Sequence, residues 1–514
     1  MLNAIRHISR LLQIARILAR HDALFLLETL EITPSVVWLA RVISKKSAEG
    51  RPGERLARAL AEAGPSFIKL GQALSTRSDI LGEELTADLS ELQDHLPPFS
   101  SEEARAAIVE EFEQPVETIF KTFDDEAIAA ASIAQVHFAE TIDGEAVAVK
   151  ILRPGIERAF DRDLDLFLWV AELIERTRPE WRRLKPVESI RTLAHSVEIE
   201  MDLRFEAAAA AEMAENFADD DTFNVPEVDW TRTGKRILTT TRIIGTTIDD
   251  REALLAAGHD LDSIVEKAAA AFFKQIFRDG FFHADLHPGN LFIQQDGSIA
   301  AVDFGIMGRI DRRSRRWLGE MLLGFLSRNY RRAAEVHFEA GWVPSHHSVE
   351  AFTQACRSIA EPILDKPQNE ISIAKLLAHL FQVTETFDME AQPQLLLLQK
   401  TMLVAEGTVR KLNPDANMWT VSRPLIDGWV SEAMRPEQVI AEEISDITEA
   451  MRRLPRLLEG MEQSAQALAG GHVRLHPDSV SALKRSENGT GSSAIIIGLM
   501  ATAIVAFVLF TWIF

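Results

Sequence analysis

A single cysteine, Cys356, occurs among 514 residues. That excludes an intrachain disulfide and a cysteine-based zinc cluster, and it fits a reducing compartment. Positive charge is also short: 55 Lys and Arg stand against 77 Asp and Glu, a formal net charge of −22. Nucleic acid is therefore excluded as the main partner, because phosphate binding needs a basic surface. Long apolar runs are missing except at one end, which excludes a polytopic transporter, and 46% hydrophobic residues exclude a disordered chain. No stretch reads as a secretory signal peptide, an internal repeat, a flavin or dinucleotide fingerprint or an iron-ligating triad. A chain of this length divides into two to four domains.

The charge is unevenly spread. Residues 1–60 carry ten Lys and Arg against five acidic residues, a local +5 that leaves −27 for the rest. Arg6 and Arg10, and Arg16 and Arg20, are four apart and interleaved with Ile5, Ile8, Leu11, Leu12 and Ile14. This pattern predicts an amphipathic basic helix that lies on an anionic membrane or packs on the protein's own core; an Arg-rich organelle transit peptide is a third reading, disfavoured by the scarcity of serine. Residues 494–514, AIIIGLMATAIVAFVLFTWIF, contain no charge. At 1.5 Å per residue they would span roughly 31 Å, the hydrocarbon thickness of a bilayer. Arg474, Lys484 and Arg485 precede them, which places the body on the cytoplasmic side of a single-pass inner-membrane protein. Ala494, Gly498, Thr502 and Ala506 form a small-residue stripe through which such a helix could pair with a second copy.

Between these ends the periodicity alternates. Residues 54–95 read as helix, broken at Gly64-Pro65, and carry Lys69-Leu70-Gly71-Gln72. From Ala129 a small-residue stretch leads into alternating runs joined at Asp143-Gly144, a β-hairpin signal, and the second run closes on Lys150. Residues 155–216 read as long helices, 235–244 as a strand and 260–279 as a helix. Strands at 291–293 and 299–302 then deliver Asp303-Phe304-Gly305. Residues 313–465 are mostly helical and 466–493 form a linker.

Four stretches carry chemistry. A lysine leaving a strand beside a small-residue turn can reach nucleotide phosphates, and Lys150 is so placed. Glu200 or Glu206, both on predicted helix, can pair with it. His283-Ala284-Asp285 with Asn290 has the Asp-x4-Asn interval of the kinase catalytic loop, where Asp accepts a proton and Asn holds a metal. The hairpin after Asn290 returns Asp303 beside it, so that a carboxylate and an amide oxygen form a hard-oxygen Mg²⁺ site. Six residues apart on one predicted helix, Glu200 and Glu206 face about 120° apart and cannot aim at one point. One would then serve Lys150 and the other Lys69. His283 and His287 are expected to brace the catalytic loop and not to bind metal.

These motifs, with KLGQ, Glu200-Met201-Asp202 and HADLHPGN, closely resemble the UbiB family of atypical protein-kinase-like proteins over roughly residues 60–330. The resemblance implies an α+β, protein-kinase-like two-lobed fold with a helical N-terminal extension, to which the apolar run adds a C-terminal transmembrane helix. It implies ATP and Mg²⁺ as cofactors and a role in ubiquinone biosynthesis at the membrane. The loop Ala129, Ala130, Ala131, Ser132, Ile133, Ala134, Gln135 and Val136 would cover the nucleotide. Lys150 would contact phosphates with Glu206 as its partner, Asp285 would be the base, and Asn290 and Asp303 the metal ligands. Lys69, Gln72, Glu200 and Asp202 would gate the acceptor side. Membrane lipid, prenylated quinone precursors and quinone-synthesis enzymes are the implied partners. Where the hinge strand is expected to carry an acid the sequence has Thr241-Arg242, so adenine contacts there would be backbone-mediated. Some relatives end in two spans where this chain has one candidate. Three activities fit the motifs: ATP hydrolysis supporting quinone synthesis, phosphorylation of a prenylated phenol or similar small molecule, and nucleotide sensing by a scaffold. The expected domains are 1–60 basic helices, 61–125 helical extension, 126–250 N-lobe with a helical insertion, 251–465 helical C-lobe, 466–493 linker and 494–514 transmembrane helix.

Overall fold

The computed structural model describes residues 2–24, 50–75, 97–177, 185–362 and 393–413, with a few isolated positions at 85–89, 379–389 and 424–428. The chain forms two compact units, one from residues 1–92, 163–191 and 434–514, the other from 93–162 and 192–433. This division differs from the expected domains: residues 93–125 join the kinase-like unit, and 163–191 leave it for the N-terminal one. The linker at 466–493 and the apolar run at 494–514 lie outside the described residues. Among the described residues no helix is long and apolar enough to cross a membrane.

The larger unit begins with the helix Ser101–Phe112, whose N-terminus is closed by a capping box between Ser100 and Glu103. An antiparallel sheet follows, built from β1 (Phe120–Phe123), β2 (Ala129–Ala130), β3 (Ala134–Thr141) and β4 (Ala146–Leu152), with β6 (Ile237–Thr241) on its far edge. β3 and β4 form the hairpin expected at Asp143-Gly144, where Gly144 adopts φ +91°, a conformation glycine takes without strain. The period of two fixes the faces. Val147, Val149 and Ile151 are buried in one cluster with Ala104 and Ile108 of the first helix. Lys150 therefore points to the opposite face. Leu152 also lies on that face and packs with Leu203 and Ala207 of the helix Leu203–Asn216.

That helix is shared between two cores. Its later residues Ala210 and Met213 enter the C-terminal core with Leu261–Phe273, the π-helical turn Lys274–Asp279, and Leu398, Val409 and Leu412 from Pro393–Leu412. Within this core lie β5 (Phe223–Asn224), β7 (Thr246–Thr247), β9 (Leu291–Ile293) and β10 (Ile299–Ala301), in the order β5-β10-β9-β7. Beside them β8 (Phe281–His283) pairs with β11 (Met307–Arg309). The helices Arg312–Leu326, Tyr330–Glu339 and Val349–Ala360 complete the unit around Tyr330, Phe352 and Cys356. The Cys356 thiol is buried, and burial pushes its pKa up to about 12.

The smaller unit holds Leu2–Arg20, Pro52–Ala63 and Pro65–Leu74. The last two are separated at Gly64-Pro65 as the sequence predicts, with Gly64 at φ +117° and proline in the first helical turn. Of the two expectations for the basic N-terminal helix, packing within the unit accounts for its arginines. Arg10 reaches Asp163 at 2.9 Å and the Ala63 carbonyl, and Arg6 meets Asp165 at 2.8 Å. Arg20 and His21 meet Glu62. The Arg10–Asp163 pair is buried, and an unpartnered Asp163 there would cost several kcal/mol.

Candidate active site

Lys150 emerges from β4 between two carboxylates. Its Nζ donates to Glu206 at 2.7 and 2.9 Å and to Asp303 Oδ1 at 2.7 Å. Burial works against the ammonium charge, but Asp303 and Glu206 beside it hold its pKa well above the usual lysine range. Burial also raises the Glu206 carboxyl, to about 7, against the pull of Lys150. With both carboxylates ionised, the trio carries one net negative charge, which favours a cation on the half-exposed Asp303 side.

Glu206 is delivered by an interruption that the sequence does not announce. The helix Pro186–Glu200 ends, Asp202 takes an extended conformation, and a new helix starts at Leu203. Asp202 caps it by accepting from the Arg204 N–H and also pairs with the Arg204 guanidinium at 2.8 and 2.6 Å. That guanidinium lowers the Asp202 carboxyl pKa. Glu200 and Glu206 are thus on different helices and not on the one expected, so their directions are not tied by a 120° separation. Glu206 is assigned to Lys150 by contact, and Asp202 by its capping contacts with Arg204. Lys69 and Glu200 belong to different units: Lys69 is buried on Pro65–Leu74 with Gln72 half-buried on the same helix, and Glu200 ends Pro186–Glu200.

The catalytic-loop segment is held from all sides. The Asp285 N–H donates to His283 Nδ1 at 3.1 Å, so that nitrogen carries no proton, and Nε2–H donates to the Val302 carbonyl at 3.1 Å. His283 is therefore a neutral imidazole, in keeping with a pKa lowered by burial. His287 Nδ1 accepts from the Gly289 N–H and caps the short Pro288–Asn290 turn. Both histidines brace the loop, as expected. Asn290 Nδ2 donates to the Asp285 carbonyl at 3.0 Å, which leaves its side-chain oxygen as the atom able to ligate a cation. The Val302 N–H donates to the Asn290 carbonyl, setting the two loops in register. Asp303 itself stands at φ +64°, in the left-handed region that Asp tolerates but most side chains avoid. An amide oxygen and a carboxylate on adjoining loops are a donor set that fits Mg²⁺.

Two supporting residues were not foreseen. Gln275, buried in the π-helical turn, accepts the His283 N–H at 2.9 Å, and Thr401 donates to the Ala284 carbonyl at 3.2 Å. An amide within the apolar run AAAAFFKQIF was the available signal for Gln275, whereas nothing near Thr401 marks it. The alanine-rich stretch forms β2, a tight turn closed by Ala131 N–H to the Ala134 carbonyl, and the start of β3. Ala129 is exposed and Ala130 half-buried, whereas Ser132, Ala134 and Gln135 are buried. Gln135 exchanges hydrogen bonds with the Phe99 backbone, and Arg153 stacks over the Phe99 ring. At the hinge, the Arg242 N–H belongs to the sheet edge, donating to the Ala146 carbonyl, and its guanidinium lies 3.6 Å over the Phe138 ring.

A strand lysine clamped by a helix glutamate, an Asp-x4-Asn loop and a returning Asp-Phe-Gly define a protein-kinase-like domain. Residues 91–337 match the ABC1 atypical kinase-like domain and residues 356–417 match the UbiB helical domain. The chain belongs to the UbiB family of atypical kinase-like proteins. It is 42% identical over 392 residues to a protein of Marinobacter nauticus named probable protein kinase UbiB, covering 76% of this chain and 72% of that one. The equivalently named protein of Pseudomonas entomophila is 37% identical over 91% of this chain and 88% of its own. That of Aeromonas salmonicida is 38% identical over 91% and 86%. Among solved structures, a Mycobacterium tuberculosis protein in complex with erythromycin superposes with a TM-score of 0.52 at 24% identity, covering 72% of this chain and 94% of its own. That likeness concerns the fold.

Proposed function

We infer that the protein is an Mg-ATP-dependent atypical kinase or ATPase that supports ubiquinone biosynthesis at a membrane. The observation that carries this is the Lys150 ammonium held between Glu206 and Asp303 within hydrogen-bonding distance of both. The UbiB name of the relatives supports the place in quinone synthesis. In this reading Lys150 orients the phosphates, Glu206 fixes its direction, and Asp285 accepts the proton of the attacking water or hydroxyl. Asn290 and Asp303 would hold Mg²⁺, which neutralises charge developing on the transferred phosphoryl group. Neutral His283 keeps the Asp285 backbone in place without adding a charge to the site.

The residues of the alanine-rich stretch would cover the nucleotide. The run 494–514 would anchor the protein in the membrane with its body cytoplasmic, and its small-residue stripe would allow pairing of two copies.

The deciding experiment follows the γ-phosphate of labelled ATP with and without a prenylated phenol. Label released as inorganic phosphate supports hydrolysis, and label on the phenol makes the protein a small-molecule kinase. No turnover, with binding retained, leaves a nucleotide-sensing scaffold.

A further inference from the structure

Away from the candidate active site, two imidazoles converge on one carboxylate oxygen. His346 and His347 are consecutive, yet their rings lie 4.1 Å apart and both direct Nε2 at Asp388 Oδ2, at 3.5 and 3.1 Å. The three donor atoms lie within 4.8 Å of one another. Two ligands bound at about 2.0–2.1 Å to a tetrahedral zinc stand about 3.3 Å apart, so both observed separations bracket the edge of such a site. We propose that His346, His347 and Asp388 form a binding site for a divalent transition metal of the zinc class, with a fourth position open to water.

The donor set selects the ion. Two imidazoles and one carboxylate suit Zn²⁺, Co²⁺ or Ni²⁺ and do not suit Mg²⁺, which demands oxygen ligands. The frame is built before any metal arrives. His347 is mostly buried and packs on Phe387 at 5.3 Å, and Phe387 in turn meets Phe352 edge-on at 4.9 Å. Phe387 and Phe352 belong to the cluster around Tyr330 and Cys356, so the residue before Asp388 is fixed to the helix Val349–Ala360. Asp388 itself stands at φ +47°. His346 and the Asp388 carboxylate are exposed, which gives the ion its route from water. The site would staple the turn before Val349–Ala360, which falls between the two family-matched stretches, to a residue inside the second of them.

The test uses the full chain without an affinity tag, stripped with a chelator and kept in excess Mg²⁺ so that oxygen sites are occupied. Co²⁺ is added as a spectroscopic probe and Zn²⁺ as a competitor. The parent is expected to develop visible d–d absorption that Zn²⁺ abolishes, and Zn²⁺ should raise its thermal midpoint. Asp388→Asn keeps a residue that tolerates positive φ, and with His346→Gln it should weaken Zn²⁺ binding at least tenfold. In chelator both variants should melt close to the parent, because only an exposed ion pair is lost. A parent that develops no Co²⁺ spectrum, or variants that bind Zn²⁺ as the parent does, would overturn the assignment.

Discussion

The backbone N–H of Val302 donates to the carbonyl of Asn290 at 2.9 Å, and this single bond aligns the loop of Asp285 with the loop of Asp303. The next residue along, Asp303, turns left-handed and reaches across to Lys150 on β4. Strand lysine, helix glutamate and the Asp303 loop are thereby joined through one ammonium group. The consequences can be measured separately for stability and for nucleotide binding.

Lys150→Met should leave Glu206 buried without its counter-ion, costing about 3 kcal/mol in urea denaturation, and should abolish Mg-ATP binding. Lys150→Met combined with Glu206→Met should recover most of the stability, because a buried pair replaced as a whole leaves no orphan charge, but none of the binding. Recovery of both, or of neither, would contradict the clamp.

Asp303→Asn retains a side chain that accepts φ +64°, so the folded state should lose little. Mg²⁺-dependent ATP binding should fall at least tenfold, because the carboxylate proposed to meet the ion is gone. An unaltered Mg²⁺ titration in this variant would remove Asp303 from the metal site.

Asp202→Ala should cost about 1 kcal/mol through loss of the N-cap. It should also lower nucleotide affinity, since Glu206 sits in the first turn of the helix that Asp202 caps. Asp202→Asn, still a good cap, should restore both. If Asn restored stability but not affinity, the charge of Asp202 would act on the site directly.

Burial lowers the pKa of His137, His283 and His337 from 6.5, so each stays neutral in the folded protein while its unfolded counterpart takes up a proton. Their contribution to stability is lost as pH falls below about 6.5. Glu206, raised from 4.5 to about 7, acts in the opposite sense, because the folded state binds its proton first. As pH falls through this range the three histidines reduce stability and Glu206 offsets part of the loss. His337 donates Nδ1–H to the Ala333 carbonyl, and His337→Gln should make stability fall less steeply below pH 6.5, by at most about 1.4 kcal/mol per pH unit. An unchanged slope would mean that His337 is charged in the fold.

The hairpin at Asp143-Gly144, the break at Gly64-Pro65 and the strands on either side of Asp296-Gly297 were legible because turn chemistry is local. So was the order of Lys150, Asp285, Asn290 and Asp303. The break at Met201-Asp202 was hidden, since an alanine-rich sequence continues the helical pattern and only the capping bond of Asp202 reveals a restart. The direct contact of Asp303 with Lys150 was also hidden, because it spans 153 positions and depends on one left-handed residue. The acids facing Arg6 and Arg10 lie more than 150 positions away, so sequence alone left membrane and core as equal destinations for that helix.

The lone thiol has a use that follows from its burial. Cys356 lies under Tyr330, Phe352 and Phe387 with its proton held tightly, so a thiol reagent can react only when this core opens. The protein therefore carries its own clock. At low reagent the labelling rate reports the population of the open form. At high reagent it levels off at the rate of opening. Because there is no second cysteine to compete, one mass-spectrometric time course yields both quantities for the unmutated chain, with and without nucleotide.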